Sequence, residues 1–240
     1  MSSIISDSFT TYPVATEPDW EGSRGLIAGG NSNGDYIDYI TIASTGNSTE
    51  FGDLTVSRGE AGACSNITRA CFGGGHAGSS KKDVIDYVTV ANIGNATDFG
   101  DLLVAIGGGG GLGCGGRGLF CGDSSVSNID YITIDTTGDA SDFGDLTVVR
   151  NEITGTQSNT RGLFFGGHDA SQASDVIDYV TVASTGNATD FGDLTEGLTG
   201  MGACSNGTRA CAGGGMRSDP DYEETNIINY VTTVSYTHLT

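Results

Sequence analysis

The chain has 240 residues, 40 of them glycine, three of them proline, and a formal net charge of −20. Glycine is far above the usual share of about 7%, yet with so little proline the composition excludes collagen and Pro-rich linkers. Thirty acidic against ten basic residues argue against nucleic acid and against anionic membrane surfaces, and no apolar run approaches the ~18 residues of a membrane span.

Residues 1–8 read as an N-terminal tail, without the basic and apolar regions of a secretory signal. Phe9–Val14 stands at the distance from Arg24 where a fourth strand of the later pattern would fall. From there three words recur. Arg followed by Gly or Ala occurs at Arg24, Arg69, Arg117, Arg161 and Arg209. Asp-Tyr begins at Asp38, Asp86, Asp130 and Asp178, with Asn229-Tyr230 as a weaker fifth copy. Phe-Gly-Asp-Leu begins at Phe51, Phe99, Phe143 and Phe191. Tyr to Phe is always 12 residues, and the Asp of Phe-Gly-Asp to the next Arg is always 16. Only the step from Arg to the Asp-Tyr position varies, through 14, 17, 13, 17 and 20 residues. All length change therefore falls in one segment of the repeat.

Within one copy, Leu54–Ser57, Ala61–Ser65, Arg69–Phe72 and Val84–Ala91 read as strands, the last being the clearest run of Val, Ile, Thr and Tyr. Turn residues separate them, and Asn206-Gly207 is a hairpin signal. Nothing shows a 3.6-residue apolar period, so no helix is expected. Four antiparallel strands every ~45 residues predict an all-β fold, a β-propeller of four-stranded antiparallel blades, about five of them. The small residues of Ala61–Cys64, Gly111–Cys114 and Gly202–Cys204 mark the innermost strand, where blades crowd around the axis. The propeller is placed at 9–233. The repeat ends there, and residues 234–240 read as translated sequencing adapter, so the chain is either a five-bladed propeller or a fragment of a larger one.

Gly-Gly after the second strand, Asp-Tyr in the third and an aromatic in the fourth resemble kelch repeats of the galactose-oxidase-like propellers, with Phe51, Phe99, Phe143 and Phe191 where that family carries Trp. The phrase at 177–195 is also similar to repeats in predicted structural or tail-fibre proteins of aquatic bacteriophages. A galactose-oxidase-like copper site needs two His, two Tyr and a Cys beside one Tyr. Here the Tyr belong to repeat strands, so no cofactor, no metal and no catalytic residue are expected.

Six Cys form three equally spaced pairs, Cys64/Cys71, Cys114/Cys121 and Cys204/Cys211. A turn at Asn66-Ile67 sets Cys64 and Cys71 diagonally across a hairpin, which favours packing over a disulfide. Their redox state stays open. The third-strand Asp (Asp38, Asp86, Asp130, Asp178) is expected to pair with the second-strand Arg of its own blade. The repeated Asp residues also allow a calcium reading, but no clustered ligand loop exists.

Strand alternation puts the second-to-third and fourth-to-first connections on one face, and these are the segments that differ between copies. That face is expected to bind a protein or glycan through Asn31, Asn33, Asp35, Arg58, His76, Lys81, Lys82, Asp123, Asn151, His168, Asp169, Met216 and Arg217. The oligomeric state is not readable from the chain.

Overall fold

The computed structural model describes residues 3–5, 24–30, 34–217 and 223–233. Among the described residues there is no helix. The strands form a five-bladed β-propeller. Blade 1 holds β1 (Ser3–Ile5), β2 (Arg24–Ala28), β3 (Tyr36–Thr41) and β4 (Thr49–Asp53). Blade 2 holds β5 (Gly62–Ser65), β6 (Arg69–Gly73), β7 (His76–Ala77), β8 (Ser80–Thr89) and β9 (Thr97–Ile106), with β7 an extra hairpin arm on β8. Blade 3 holds β10 (Gly110–Cys114), β11 (Arg117–Cys121), β12 (Asn128–Thr133) and β13 (Ser141–Asp145). Blade 4 holds β14 (Thr154–Gln157), β15 (Arg161–Phe165), β16 (Val176–Thr181) and β17 (Thr189–Asp193). Blade 5 holds β18 (Gly202–Ser205), β19 (Arg209–Gly213) and β22 (Ile228–Thr232), with β20 (Met216–Arg217) and β21 (Glu223–Glu224) pairing in its loop.

Two sequence expectations change here, and one is untested. Ser3–Ile5, within the expected tail, pairs with β2 as the innermost strand of blade 1. Phe9–Val14 lies outside the described residues. Leu54–Ser57 is not a strand: Leu54 turns into the core, and the Thr55 amide and hydroxyl both donate to Asp86 instead of to a neighbouring strand.

Innermost strands follow one another around the axis as β1, β5, β10, β14 and β18. Their small residues are required by crowding. A Cβ on Gly111 would stand 2.5 Å from the backbone oxygen of Ala63 in the blade before. The glycines after the second strand serve a different need. Gly74 turns the chain with φ 69°, in the left-handed region that glycine enters without a Cβ penalty.

The recurring words are packing units. Phe51, Phe99, Phe143 and Phe191 each occupy a register shift in the pairing of third and fourth strands, as an extra residue opposite the Ile-Asp step. Such a bulge redirects a side chain and sharpens the local twist. The Phe ring then meets the Tyr of the third strand edge-on, with centroids 5.8–6.1 Å apart. Over each Tyr lies the guanidinium of the second-strand Arg, 4.5–4.8 Å from the ring centre in all five blades.

The expected Arg–Asp pairing within a blade is therefore wrong. Arg24, Arg69, Arg117 and Arg161 instead donate to a carbonyl of the following blade, on Val90, Ile134, Val182 and Thr233, at 2.7–3.3 Å. The third-strand Asp finds a different arginine. Arg58 bonds Asp86 at 2.7 Å and Arg150 bonds Asp178 at 2.9 Å, with both members fully buried. Asp130 takes Asn128 and the Leu103 amide instead, and Asp38 takes Ser48.

The core lies between blades. Each forward face packs on the rear face of the next, as with Leu26, Ile37, Phe51 and Leu54 against Ala70, Phe72, Val88 and Val90. The three further interfaces repeat this arrangement.

The expected diagonal placement of the cysteines also changes. The turn is longer than two residues: Asn66 pairs back to Arg69 and its side chain accepts the Thr68 and Arg69 amides. Cys64 thus stands directly opposite Cys71, and Cys204 opposite Cys211. In blade 3 the tighter Gly115-Gly116 turn sets Cys114 opposite Arg117, so the third pair is out of register. All six are free thiols. Burial, and then its neighbour Cys71, pushes the Cys64 thiol well above its ordinary value.

Candidate functional site

The two sets of variable connections do share a face. In blades 2, 4 and 5 short bridges tie the loop after the second strand to the loop entering the same blade: Gly59 to His76, Asn151 to His168, and Thr199 to Met216. His76, His168 and Met216 thus occupy one repeated position. These three loops, in blades 2, 4 and 5, are each clamped at the base by two backbone hydrogen bonds of 2.8–3.0 Å. Beyond the clamp the tips are exposed and polar, with Ser79 and Ser80 in blade 2, Ser124 and Ser125 in blade 3, and Ser171 and Gln172 in blade 4.

The named residues divide into four groups: exposed, half-buried, buried, and outside the described residues. Asp35 is exposed, and its carbonyl accepts the Leu54 amide. His76, Lys82, Asn151, His168, Asp169, Met216 and Arg217 are half-buried at loop bases. Asp169 accepts the Ser171 and Gln172 amides and the Ser171 hydroxyl. Those amides hold its carboxyl below the ordinary value. Arg217 stands 3.5 Å from Glu196, too poorly aligned for a hydrogen bond. Asn31 and Asn33 lie outside the described residues.

Arg58 and Asp123 are corrections. Arg58 is fully buried and donates to Gly74, Phe72, Val56 and Asp86, so it fastens blade 1 to blade 2 and offers nothing to a ligand. Asp123 is buried too, because Lys81 reaches across from blade 2 to meet it at 2.7 Å. Burial alone would raise its carboxyl, but Lys81, both Ser125 donors and the Gly107 amide together hold it below the ordinary value. Lys81 and Asp123 are a strap between neighbouring loops.

Sequence reasoning passed over Glu60 and Glu152. Both adopt left-handed backbone, with φ 60° and 52°, where the matching positions of the other two connections are Gly108 and Gly200. That alternation with glycine was the available signal. These residues pass hydrogen bonds from blade to blade on the same face: Gly109 N–H to Glu60 O, Glu152 N–H to Gly108 O, and Gly200 N–H to Glu152 O. The Glu152 carboxylate accepts the Thr199 hydroxyl at 2.7 Å, and Glu60 lies 4.0 Å from His76. Two carboxylates therefore sit on this face in place of glycines.

His76 and His168 belong to blades 2 and 4. Among the described residues no three His, Cys, Asp or Glu side chains gather closely enough to hold a metal ion. The arrangement offers hydrogen-bonding side chains on fixed loop bases. No protein-family model matches the chain, and no curated protein matches it.

Proposed function

We propose that this propeller is a non-enzymatic binding and structural module that receives a protein or glycan on its variable-loop face. The observation that carries this reading is the contrast between clamp and tip. The loop bases of blades 2, 4 and 5 repeat one bridge geometry, while the tips differ in sequence and the loop lengths vary from blade to blade. A rigid scaffold presenting diverse loops is the usual construction of a recognition surface. Hydroxyl and carboxamide tips suit a polar ligand rich in hydrogen-bonding groups. The acid excess weighs against nucleic acid and anionic lipid as partners.

The finer reading is a bacteriophage virion or tail-fibre component that recognises a host-surface glycan or protein. It is supported by the wording of residues 177–195. The alternative is a cellular kelch-like scaffold joining proteins, supported by the Gly-Gly, Asp-Tyr and aromatic pattern. Capsid and tail genes beside the coding sequence favour the first. A galactose-oxidase-like enzyme is the least supported reading, and stoichiometric copper on the purified protein would revive it.

The direct test replaces the exposed tips at residues 79–80, 124–125 and 171–172 by alanine and measures binding to a glycan array and to host-surface protein. Binding is expected to disappear while the β-sheet circular dichroism stays unchanged. Loss of binding only from changes on the opposite face would overturn the reading.

A further inference from the structure

Three pairs of cysteines share one spacing along the chain but not one arrangement in the sheet. Cys64 stands directly opposite Cys71 across β5 and β6, and Cys204 directly opposite Cys211 across β18 and β19. Cys114 faces Arg117 and Cys121 faces Gly110, so the members of the third pair do not meet. The Cys114 thiol turns away and donates to the Ser158 carbonyl of the next blade, at 3.2 Å.

The position of the opposed pairs can be followed through all five blades. Its occupants are Ile5 with Leu26, Cys64 with Cys71, Leu112 with Leu119, Thr156 with Leu163, and Cys204 with Cys211. A cysteine used only for its volume could face leucine here, as Thr156 does. At this position cysteine faces only cysteine. The two hairpins concerned share the words Gly-Ala-Cys-Ser-Asn and Thr-Arg-Ala-Cys, so one arrangement stands in both copies.

The ladder brings the sulfurs together. The Asn66 amide donates to the Arg69 carbonyl, and hydrogen-bonded pairs recur at every second residue of an antiparallel ladder, so Cys64 and Cys71 form such a pair. Asn206 and Arg209 set the same phase for Cys204 and Cys211. Hydrogen-bonded partners stand about 5.5 Å apart at Cα, inside the range of about 4.4–6.8 Å that a disulfide spans. The Cys64 thiol is within hydrogen-bonding reach of the Cys71 sulfur. Their Cβ atoms start about 5.5 Å apart, wider than the ~4 Å of a relaxed disulfide. Closing the bond therefore draws the two strands together, and a bond under that strain is easier to reduce.

We propose that Cys64 with Cys71, and Cys204 with Cys211, are two thiol–disulfide couples that close under oxidising conditions, while Cys114 and Cys121 do not join each other. The oxidant is a small-molecule disulfide such as oxidised glutathione. One cysteine attacks it as the thiolate, forming a mixed disulfide and expelling one glutathione thiolate. The opposite cysteine then attacks the protein sulfur of that mixed disulfide and expels the second. Each couple gives up two protons and two electrons, and one glutathione disulfide becomes two thiols. Cys64 and Cys71 are buried, so exchange at this couple runs while the seam between blades 2 and 3 is open, as the chain folds.

The test refolds the full 240-residue chain from urea in an oxidising and in a reducing glutathione buffer, alkylates free thiols and maps the peptides without reduction. In the oxidising buffer the 64–71 and 204–211 linkages are expected, with no 114–121 linkage. In the reducing buffer no linkage is expected, with the same circular dichroism. Cys64→Ala is expected to leave Cys71 unlinked to any other cysteine while 204–211 still closes. Cys204→Ala is the matching variant in blade 5, and either one serves. Absence of both linkages from the oxidising buffer overturns the proposal. So does a 114–121 linkage as abundant as the other two, because spacing along the chain and not register would then decide the pairing. Linkages formed in the reducing buffer as well would mark permanent staples and overturn the couples.

Discussion

The seam between blades 1 and 2 and the seam between blades 2 and 3 share the same apolar plan and differ in one polar device. In the first, Arg58 enters the core, bonds Asp86, and donates to the carbonyls of Gly74 and Phe72. In the second, the same position is Ile106, and Asp130 is left to Asn128 and a backbone amide. The seam between blades 3 and 4 repeats the first with Arg150 and Asp178. The seam between blades 4 and 5 puts Leu198 at the arginine position and Asn229 at the aspartate position, where Asn229 accepts the amide and hydroxyl of Thr195. The carboxylate survives where an arginine meets it and becomes an amide where leucine does. Asp130 is the exception, a buried acid without a cation. Burial accordingly pushes its carboxyl above the ordinary value, ahead of the bonds from Asn128 and Leu103 that lower it.

The largest expected effect comes from breaking one device. Asp86→Asn leaves Arg58 buried beside a neutral partner and is expected to cost about 3–5 kcal/mol in urea unfolding at neutral pH. Asp178→Asn should behave alike. The double change Arg58→Leu with Asp86→Asn rebuilds the blade 4–5 arrangement and is expected to recover to within about 1 kcal/mol of wild type. A double variant as unstable as the single one would show that the two devices are not equivalent.

Asp130→Asn is expected to be neutral or stabilising by up to about 1 kcal/mol. Its pH dependence has a definite sign. With a folded value raised above the unfolded carboxyl near 3.9, the native state holds more protons between the two. Wild type therefore gains stability as pH falls through that window, and the variant does not. Equal pH slopes for the two proteins would contradict the uncompensated burial of Asp130.

The smallest effect belongs to the strap on the loop face. Lys81→Ala removes a partly exposed partner and is expected to cost about 1 kcal/mol. Asp123 has the opposite sign from Asp130. Its folded value is depressed, so its contribution is present above the unfolded carboxyl value and lost as pH falls through the folded one. That loss should be smaller in Lys81→Ala, measured as the difference in unfolding free energy between neutral and acidic pH.

The all-β repeat was legible because its words are the packing itself: Arg, Tyr and Phe meet in one cluster, and a cluster repeated at fixed spacing is visible without structure. The variable face was legible for the opposite reason, since length change gathers where no blade packs on another. The partner of the third-strand Asp was not. Two arginines serve each complete seam, and only the stacked one, such as Arg69, recurs often enough to read as a word. Arg58 and Arg150 appear in alternate copies and look like loop variation. Their alternation with Ile106 and Leu198, set against Asp86, Asp178, Asp130 and Asn229, was present in the chain. It acquires meaning only once the two positions are known to face each other across a seam. Asp123 was unreadable in the same way, because Lys81 lies 42 residues earlier.

The stacked arginines couple blades through main-chain oxygen. Every residue carries a carbonyl, so this contact tolerates any sequence in the neighbour and is equally available to a blade that has been duplicated, deleted or moved. The buried Arg58 and Arg150 act differently, because each demands an acid at one place in the blade that follows. Recombination among such genes therefore meets two kinds of joint: a universal coupling at every boundary, and a keyed one at alternate boundaries that rejects the wrong successor.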